Sequence, residues 1–316
     1  MLAKPHRGER SWRWSPKVGI PVGATGPVWI EVTKRMPEKK VSLKEIRAHV
    51  SYRKGTGKPI CFFHGGVESK ATWDKVTEVL TVNNPTFAID ARGHGQSERS
   101  PGGSYDFPSM ISDASEFLKF IGEELIIVGH SMGATAAFFA AAENPQLVSG
   151  ICLEDNTPLF ELDPAISESS AVQGIKGIGA VAKQSVLEGE DAAELATKIG
   201  DLGPPNRKMK DNFPSWYLEA WAAELIQLDP RFTETFFENG PITNDLPAAL
   251  KRLSCPIHLI YGEKGIVKNS HIEQMQALYS NFSAELIVGA RHNVHTFHTH
   301  EFVRGLESFI HICEGK

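Results

Sequence analysis

One short segment constrains the fold of this chain more than any other: the sequence Gly-His-Ser-Met-Gly at residues 129–133. Residues 125–128 before it are all apolar and predict a short buried strand, whereas residues 134–142 are rich in alanine and predict a helix. A serine at such a junction occupies a sharp turn, and glycines flank it because side chains there would collide with neighbouring elements. The pattern predicts a nucleophilic serine, Ser131, with the amide of Met132 directed at the position where an oxyanion would form.

Charge and composition exclude several classes of partner. The 316-residue chain carries 33 basic and 38 acidic side chains and a formal net charge of −5, so no overall field attracts nucleic acid or an anionic membrane. No stretch approaches about 18 consecutive apolar residues, the length that indicates a membrane-spanning helix. We therefore expect no nucleic-acid or membrane partner and a small-molecule substrate, while the sequence leaves the oligomeric state open.

The N-terminal segment 1–17 is basic but has no apolar stretch, which argues against a secretory signal peptide. A mitochondrial-type leader stays open, although the prolines of this segment disfavour an amphipathic helix. The simpler expectation is an arm over residues 1–27 that, with Trp12, Trp14 and Trp29, lies along the body of the protein. The four cysteines are widely spaced, and two of them fall in predicted core strands, which indicates reduced thiols and a cytoplasmic location.

Strand-like and helix-like segments alternate along most of the chain. This order predicts an α/β fold with a mostly parallel sheet and helices on both faces. The predicted strands are 28–32, 48–53, 59–63, 87–90, 125–128, 148–153, 257–261 and 284–288. The predicted helices between them are 72–80, 107–121, 134–142, 271–278 and 301–310.

A stretch of roughly 90 residues, 159–252, has no strand signal and is too long for a loop. Helix-like runs within it cover 171–186, 191–199, 215–228 and 247–253. We therefore expect a core domain made of residues 1–158 and 253–316, with residues 159–252 forming a helical cap over the carboxyl edge of the sheet.

A serine hydroxyl is a weak nucleophile at neutral pH and needs a base, which in turn needs a third group to hold it. His292 follows the last predicted strand and is our candidate for the base. The rivals in the same loop are His295, His298 and His300, for which we expect solvated loop positions. Their close spacing resembles a metal motif, but no cysteine or acidic residue accompanies them, so we expect no metal.

The second amide of an oxyanion hole is expected from the loop after the third strand. The sequence His-Gly-Gly at residues 64–66 ends that predicted strand and supplies the amide of Gly66. We expect His64 to support this loop rather than to react. The alternative for the two glycines is a plain turn.

With these motifs together, the chain resembles the α/β-hydrolase superfamily over roughly residues 45–312. Besides the segments at 64–66 and 129–133 and the Arg-His pair at 291–292, the resemblance includes Asp-Ala-Arg-Gly-His-Gly-Gln-Ser at 90–97. Similar proteins include esterases, lactonases, C–C hydrolases, haloperoxidases and dehalogenases, so the motifs indicate the fold and leave the substrate open. The resemblance implies an eight-stranded, mostly parallel sheet, a helical cap after the sixth strand and no cofactor.

The chain departs from this family at the catalytic acid. Family members often carry an aspartate after the seventh strand, where this chain has Gly265, and glycine cannot orient a histidine. Some similar esterases carry the acid after the sixth strand, where this chain has Asp155. We assign the acid to Asp155, with Glu263 and the neighbouring Glu154 as alternatives, because strand alternation lets only one of two neighbours face the site. Asp155 would otherwise only cap the following turn.

Large aromatic residues cluster in the predicted cap. Trp216, Tyr217 and Trp221 are the candidate substrate-binding residues and would suit a bulky apolar or aromatic substrate. For each aromatic residue the alternative is ordinary packing of the cap on the core. Further aromatic residues in this region are Phe160, Phe232, Phe236 and Phe237.

The leading functional hypothesis is a serine hydrolase that cleaves a carboxylic ester or lactone through an acyl-enzyme. Cleavage of a C–C bond beside a ketone by the same residues stays open as an alternative, because nothing in the sequence distinguishes the two. A ligand-binding or receptor protein on the same fold is the alternative from another class, and the missing aspartate at position 265 is its main support. A serine at the elbow disfavours haloalkane dehalogenase and epoxide hydrolase chemistry, which use an aspartate there.

Overall fold

The strands that the structure describes form a large sheet and a two-stranded hairpin. The structure, a computed structural model, describes residues 17–20, 28–31, 36–163, 168, 170–236 and 242–315. The strands in these ranges are β1 (Lys17–Ile20), β2 (Val28–Glu31), β3 (Glu38–Ser42), β4 (Arg47–Arg53), β5 (Ile60–Phe63), β6 (Thr86–Ile89), β7 (Leu125–His130), β8 (Val148–Glu154), β9 (Ile257–Gly262) and β10 (Phe282–Ile287).

The large sheet has eight strands in the order β10-β9-β8-β7-β5-β6-β4-β3. Strands β5 to β10 pair in parallel, whereas β4 is antiparallel to both of its neighbours, β3 and β6. Because parallel strands place their carboxyl ends at one edge, the loops after β5, β7, β8, β9 and β10 meet there. The predicted α/β fold with a mostly parallel sheet is therefore confirmed.

Helices connect the strands and form the segment between β8 and β9. They are α1 (Asp74–Val79), α2 (Phe107–Ile121), α3 (Met132–Glu143), α4 (Pro158–Glu161), α5 (Ser170–Glu188), α6 (Ala192–Gly200), α7 (Ser215–Leu225), α8 (Phe232–Thr235), α9 (Leu246–Arg252), α10 (Asn269–Leu278), α11 (Val294–Phe297) and α12 (Thr299–Cys313). No helix among the described residues is both long and apolar enough to span a membrane.

Most predicted elements lie within about three residues of the observed bounds, and α2 has the predicted bounds. Strand β3 was not predicted, because Glu38, Lys39 and Lys40 give it no apolar pattern. It lies at the edge of the sheet, where charged side chains discourage pairing with another chain.

The hydrophobic core consists of two clusters of buried side chains, one on each face of the sheet. One cluster includes the buried residues of α2 and α3, and the other includes those of α1 and α12. Helix α3 is buried from Met132 to Ala142, which its small alanine side chains permit because they let the helix approach the sheet closely. The four cysteines are free thiols, and three of them are buried.

The chain divides into two compact units, Met1–Arg35 and Met36–Lys316. In the first unit, β1 and β2 form an antiparallel hairpin in which Gly19 pairs with Trp29. The expected course of the rest of the arm, with Trp12 and Trp14, lies outside the described residues. In the second unit, every element in the described part of 159–252 is helical, as expected for a cap, although the exact domain boundaries stay a prediction.

Candidate active site

The turn between β7 and α3 holds the predicted nucleophile. Ser131 has φ 50° and ψ −121°, a backbone conformation that residues other than glycine rarely adopt. A Cβ atom at Gly129 would lie 2.6 Å from Cα of Ala134, and one at Gly133 would lie 2.4 Å from the carbonyl oxygen of His64. Both glycines are therefore required by close backbone approach, as the sequence pattern predicts.

The structure brings the candidate base and the candidate acid into direct contact. Nδ1 of His292 lies 2.7 Å from Oδ2 of Asp155, whose side chain is fully buried. The amides of Gly262 and Ile266 donate to the two oxygens of this carboxylate, at 3.1 and 3.0 Å. An ionised carboxylate only accepts hydrogen bonds, so Nδ1 of His292 carries the proton and Nε2 is left to act as a base.

Gly265 makes room for this acid. A Cβ atom at Gly265 would lie 2.0 Å from Oδ1 and 2.2 Å from Oδ2 of Asp155. Similar proteins often carry the catalytic aspartate at the position of Gly265. In this protein the carboxylate of Asp155 reaches the space beside that position from the end of the neighbouring strand β8. The glycine that cast doubt on the triad in the sequence is explained by this arrangement.

The two alternative acids bind other groups. Glu154, one residue before Asp155, accepts hydrogen bonds from His295, whereas the exposed Glu263 accepts one from the amide of Gly289 at 2.9 Å. Glu154 and Asp155 therefore each hold one histidine of the same loop.

The serine turn lies beside this acid–base pair. The ring of His130, which precedes Ser131, lies 4.5 Å from the ring of His292, centroid to centroid. Asn156, which follows Asp155, donates from Nδ2 to the carbonyl oxygen of Ser131 at 2.9 Å. The three predicted catalytic residues thus come from one cluster of loops at the carboxyl edge of the sheet.

The loop after β5 places Gly66 against Met132, as an oxyanion hole requires. A Cβ atom at Gly66 would lie 3.8 Å from Cβ of Met132. Nε2 of His64 accepts a hydrogen bond from the amide of Ala91 at 2.9 Å, and Nδ1 contacts the carbonyl oxygen of Gly65 at 2.7 Å. Burial lowers the pKa of His64, so this histidine is neutral and supports the loop.

A buried group of ionisable residues behind the site was not predicted from the sequence. His130, Glu154 and His295 have polar atoms that all lie within 4.8 Å of one another. His295 is 1% exposed, and Thr72 contacts its Nε2 at 2.5 Å, so the expectation of a solvated loop position is wrong for this residue. The structure also supplies the acidic partner that the sequence spacing lacked, and the expectation that these histidines bind no metal stays a prediction.

Glu68 completes this buried group. Its Oε2 lies 3.0 Å from Nδ1 of His130 and accepts a hydrogen bond from the amide of Gly65, while its Oε1 accepts one from Asn293. Burial alone would lower the pKa of His130, but the carboxylates of Glu68 and Glu154 raise it to about 9. A signal for this group is present in the sequence: two adjacent acidic residues, Glu154 and Asp155, and two histidines three positions apart, His292 and His295.

The candidate substrate-binding aromatic residues belong to helix α7. Trp221 donates from Nε1 to the carbonyl oxygen of Val67 at 2.8 Å, which ties the helix to the loop that carries Gly66. Tyr217 is buried and packs against Trp221 and Phe297, at ring distances of 5.6 and 4.9 Å. Trp216 is half-buried against the same Phe297. These contacts are those of cap-on-core packing, and a role in substrate binding stays a prediction.

Two of the other aromatic residues of this region also make packing contacts. Phe232 packs on His94 with 4.4 Å between ring centroids, and Phe236 stacks on Phe232. Phe160 is half-buried. Phe237 lies outside the described residues.

A family comparison is consistent with this geometry. The family model of the alpha/beta hydrolase fold matches residues 58–299, which is most of the chain. The protein belongs to the α/β-hydrolase family.

Two relatives match over most of their length. The chain is 22% identical to sn-1-specific diacylglycerol lipase ABHD11 of Mus musculus, over 94% of this chain and 99% of the relative. It is 28% identical to Ethanol acetyltransferase 1 of Eremothecium cymbalariae, over 87% of this chain and 83% of that protein. Another match is local: the chain is 32% identical to 2-(acetamidomethylene)succinate hydrolase of Mesorhizobium japonicum over 40% of this chain and 45% of that relative's length.

A solved structure shows the same fold. The crystal structure of carboxylesterase CesB from Bacillus subtilis superposes with a TM-score of 0.66, at 18% identity, covering 88% of this chain and 93% of that protein.

Proposed function

We propose that this protein is a serine hydrolase that cleaves a carboxylic ester or lactone of a bulky apolar or aromatic small molecule. The observation that carries the proposal is the 2.7 Å contact between His292 and the buried Asp155, beside the strained turn of Ser131. A nucleophile, a base and a group that orients the base are the parts that acyl transfer needs.

In the proposed reaction, Oγ of Ser131 attacks the carbonyl carbon while Nε2 of His292 takes the hydroxyl proton. Asp155 holds the imidazole through Nδ1 and stabilises the imidazolium that forms. The amides of Gly66 and Met132 donate to the oxyanion of the tetrahedral intermediate.

The intermediate then collapses: the carbonyl double bond reforms, the bond to the alkoxy oxygen breaks, and His292 gives its proton to the leaving alcohol. Water next attacks the acyl-enzyme by the same steps and releases the acid and free Ser131. These steps use only side chains, backbone amides and water, so the proposed reaction needs no cofactor.

The similarity to a diacylglycerol lipase and to a carboxylesterase supports ester chemistry. The similarity to an ethanol acetyltransferase favours a second candidate, acyl transfer to an alcohol. In that reaction the alcohol attacks the acyl-enzyme in place of water while His292 takes its hydroxyl proton. The bond between the acyl group and Oγ of Ser131 then breaks, His292 returns the proton to Ser131, and the new ester leaves. Hydrolysis of a C–C bond beside a ketone would use the same residues.

The cytoplasmic location is likewise a proposal and rests on the four free cysteines.

Turnover of p-nitrophenyl butyrate tests the proposal. Ser131→Ala should abolish turnover, and Asp155→Asn should lower kcat by about 10³ to 10⁴ because the imidazole loses its working tautomer. Glu263→Gln is the matched control, since that carboxylate lies on the same edge of the sheet but accepts from Gly289 instead. Its turnover should equal that of the wild type.

Three outcomes would contradict parts of this proposal. Full turnover by Ser131→Ala would show that Ser131 is not the nucleophile. A loss in Glu263→Gln as large as that in Asp155→Asn would show that Asp155 cannot be assigned as the catalytic acid in preference to Glu263. No turnover of any short ester by the wild type, together with tight binding of an apolar ligand, would indicate a receptor. Formation of ethyl butyrate in the presence of ethanol, measured by gas chromatography, distinguishes acyl transfer from hydrolysis.

A further inference from the structure

His130 lies at the centre of a buried charged group that the proposed reaction does not use. Its side chain is 2% exposed. The charged and titratable groups that face it are Glu68 from the loop after β5, Glu154 and Asp155 from the end of β8, His64, and the histidines 292 and 295 from the loop after β10. Three carboxylates thus surround one imidazole.

The hydrogen bonds of this group join the loops of the active site. Glu68 accepts from the amide of Gly65, next to the candidate oxyanion donor, contacts Nδ1 of His130 on the serine turn, and accepts from Asn293, next to the candidate base. One carboxylate therefore links the oxyanion loop, the serine turn and the base loop, and His130 is its buried partner.

The carboxylates around His130 favour a charged ring. Nδ1 faces a carboxylate, so it carries a proton. Nε2 is buried without a hydrogen-bond partner among the described residues, yet Glu154 acts on the ring electrostatically. A neutral ring would leave the buried Glu68 carboxylate with no positively charged group in direct contact among the described residues, which is costly in a buried setting.

We propose that His130 is a positioning residue: a lasting imidazolium that clamps the three loops through Glu68 and, in the reaction proposed above, disfavours a second positive charge on His292. The two ring centroids are 4.5 Å apart and the His130 side chain is buried, so protonating both rings brings like charges close together with one of them out of contact with water. The charge on His130 thereby offsets part of the attraction that the three carboxylates exert on a second proton at the base.

The first test measures the wild-type protein and uses a variant only to assign the resonance. In wild-type protein labelled with ¹⁵N-histidine, the His130 ring should show both nitrogens protonated at pH 7.5, with the resonance assigned by its loss in His130→Asn. If that variant does not fold, Glu68→Gln supplies the assignment, because His130 should then lose its proton at a lower pH than in the wild type. A His130 ring that is singly protonated at pH 7.5 in the wild type would overturn the proposal.

The second test is the pH profile of kcat/KM with p-nitrophenyl butyrate. The amide of His130→Asn can still donate to Glu68 but carries no charge. Its acidic limb should move up by about 1 pH unit or more, because the uncharged amide no longer opposes a positive charge on the neighbouring base. The matched control is His298→Asn, which changes a half-buried histidine six residues after His292 in the chain. Nδ1 of His298 lies 3.9 Å from Oε1 of Glu301, and the pH profile of this variant should not move.

A role that is only structural would lower kcat or stability without moving the acidic limb. A folded His130→Asn variant with an unmoved limb would therefore overturn the proposed effect on His292. This inference rests on the proposed function, but the two fail differently. If no Ser131-dependent turnover exists, the NMR titration of the His130 and His292 rings, in wild type and in His130→Asn, still decides whether one charge opposes the other.

Discussion

Replacing Gly265 by alanine should disable the site, although this glycine takes no part in the chemistry. The new Cβ atom would lie 2.0 Å from Oδ1 of Asp155, so the carboxylate must move away. It would then lose the hydrogen bonds from the amides of Gly262 and Ile266 and its contact with His292. Losing the two amide bonds alone costs about 3 to 6 kcal/mol if each bond to a charged acceptor contributes about 1.5 to 3 kcal/mol.

We expect kcat for p-nitrophenyl butyrate to fall by about 10³ or more in Gly265→Ala, because a displaced acid no longer orients the base. Urea unfolding followed by tryptophan fluorescence should show a lower free energy of unfolding. Gly177→Ala in helix α5 is the matched control, since a Cβ atom there has no neighbour within 4 Å. It should keep full activity and gain up to about 1 kcal/mol from helix propensity.

A folded Gly265→Ala protein with wild-type turnover would refute this reasoning, because it would show that the observed position of Asp155 is not needed. The converse change offers a rescue. Asp155→Gly should be inactive, and adding Gly265→Asp should restore part of the turnover by supplying a carboxylate from the neighbouring loop. Glycine suits position 155, where φ is 41°.

Three further outcomes are expected. Burial raises the pKa of Glu161 to about 8 despite hydrogen bonds from Thr135 and Asn156, so its contribution to stability is complete below its unfolded pKa near 4.5 and is lost as the pH rises toward 8. Glu161→Gln should therefore flatten the fall in the free energy of unfolding between pH 5 and pH 8, about 1.4 kcal/mol per pH unit at most, and an unchanged urea series would contradict this. Trp221→Phe keeps an aromatic ring but removes the hydrogen bond to Val67, so kcat/KM should fall by up to about tenfold with little change in melting temperature. An unaltered kcat/KM would argue against a role for this hydrogen bond in the site. Gly133→Ala should lower soluble yield sharply, because its Cβ atom meets backbone at 2.4 Å, and a normal melting temperature would count against the required close approach.

The sequence predicts the sheet and the serine turn well because both depend on local pattern. Apolar runs mark the central strands, and α2 begins after Asp106, whose side chain caps the amide of Ser109. Strand β3 has no such pattern, since an edge strand is held by backbone pairing with β4 rather than by burying its side chains.

The catalytic acid can be narrowed to three candidates from the sequence, and the choice among them needs the structure. That choice depends on which carboxylate faces His292, which in turn depends on the pairing of β8 with β9, and no local pattern reports this pairing. The burial of His295 was missed for the same reason, because its partner Glu154 is 141 positions away in the chain. Long-range pairing of this kind becomes visible only once the strands are aligned.

Supplying the acid from the end of β8 changes what the loop after β9 must do. Residues 263–268 contribute the amide of Ile266 to Asp155, while the side chains of Glu263 and Lys264 are exposed. Positions 263 and 264 are thus free to vary in side-chain identity without disturbing the acid. In a saturation library over residues 263–265, activity should survive most substitutions at 263 and 264 and almost none at 265. The pattern of tolerated substitutions would therefore indicate that the acid comes from β8 and not from this loop.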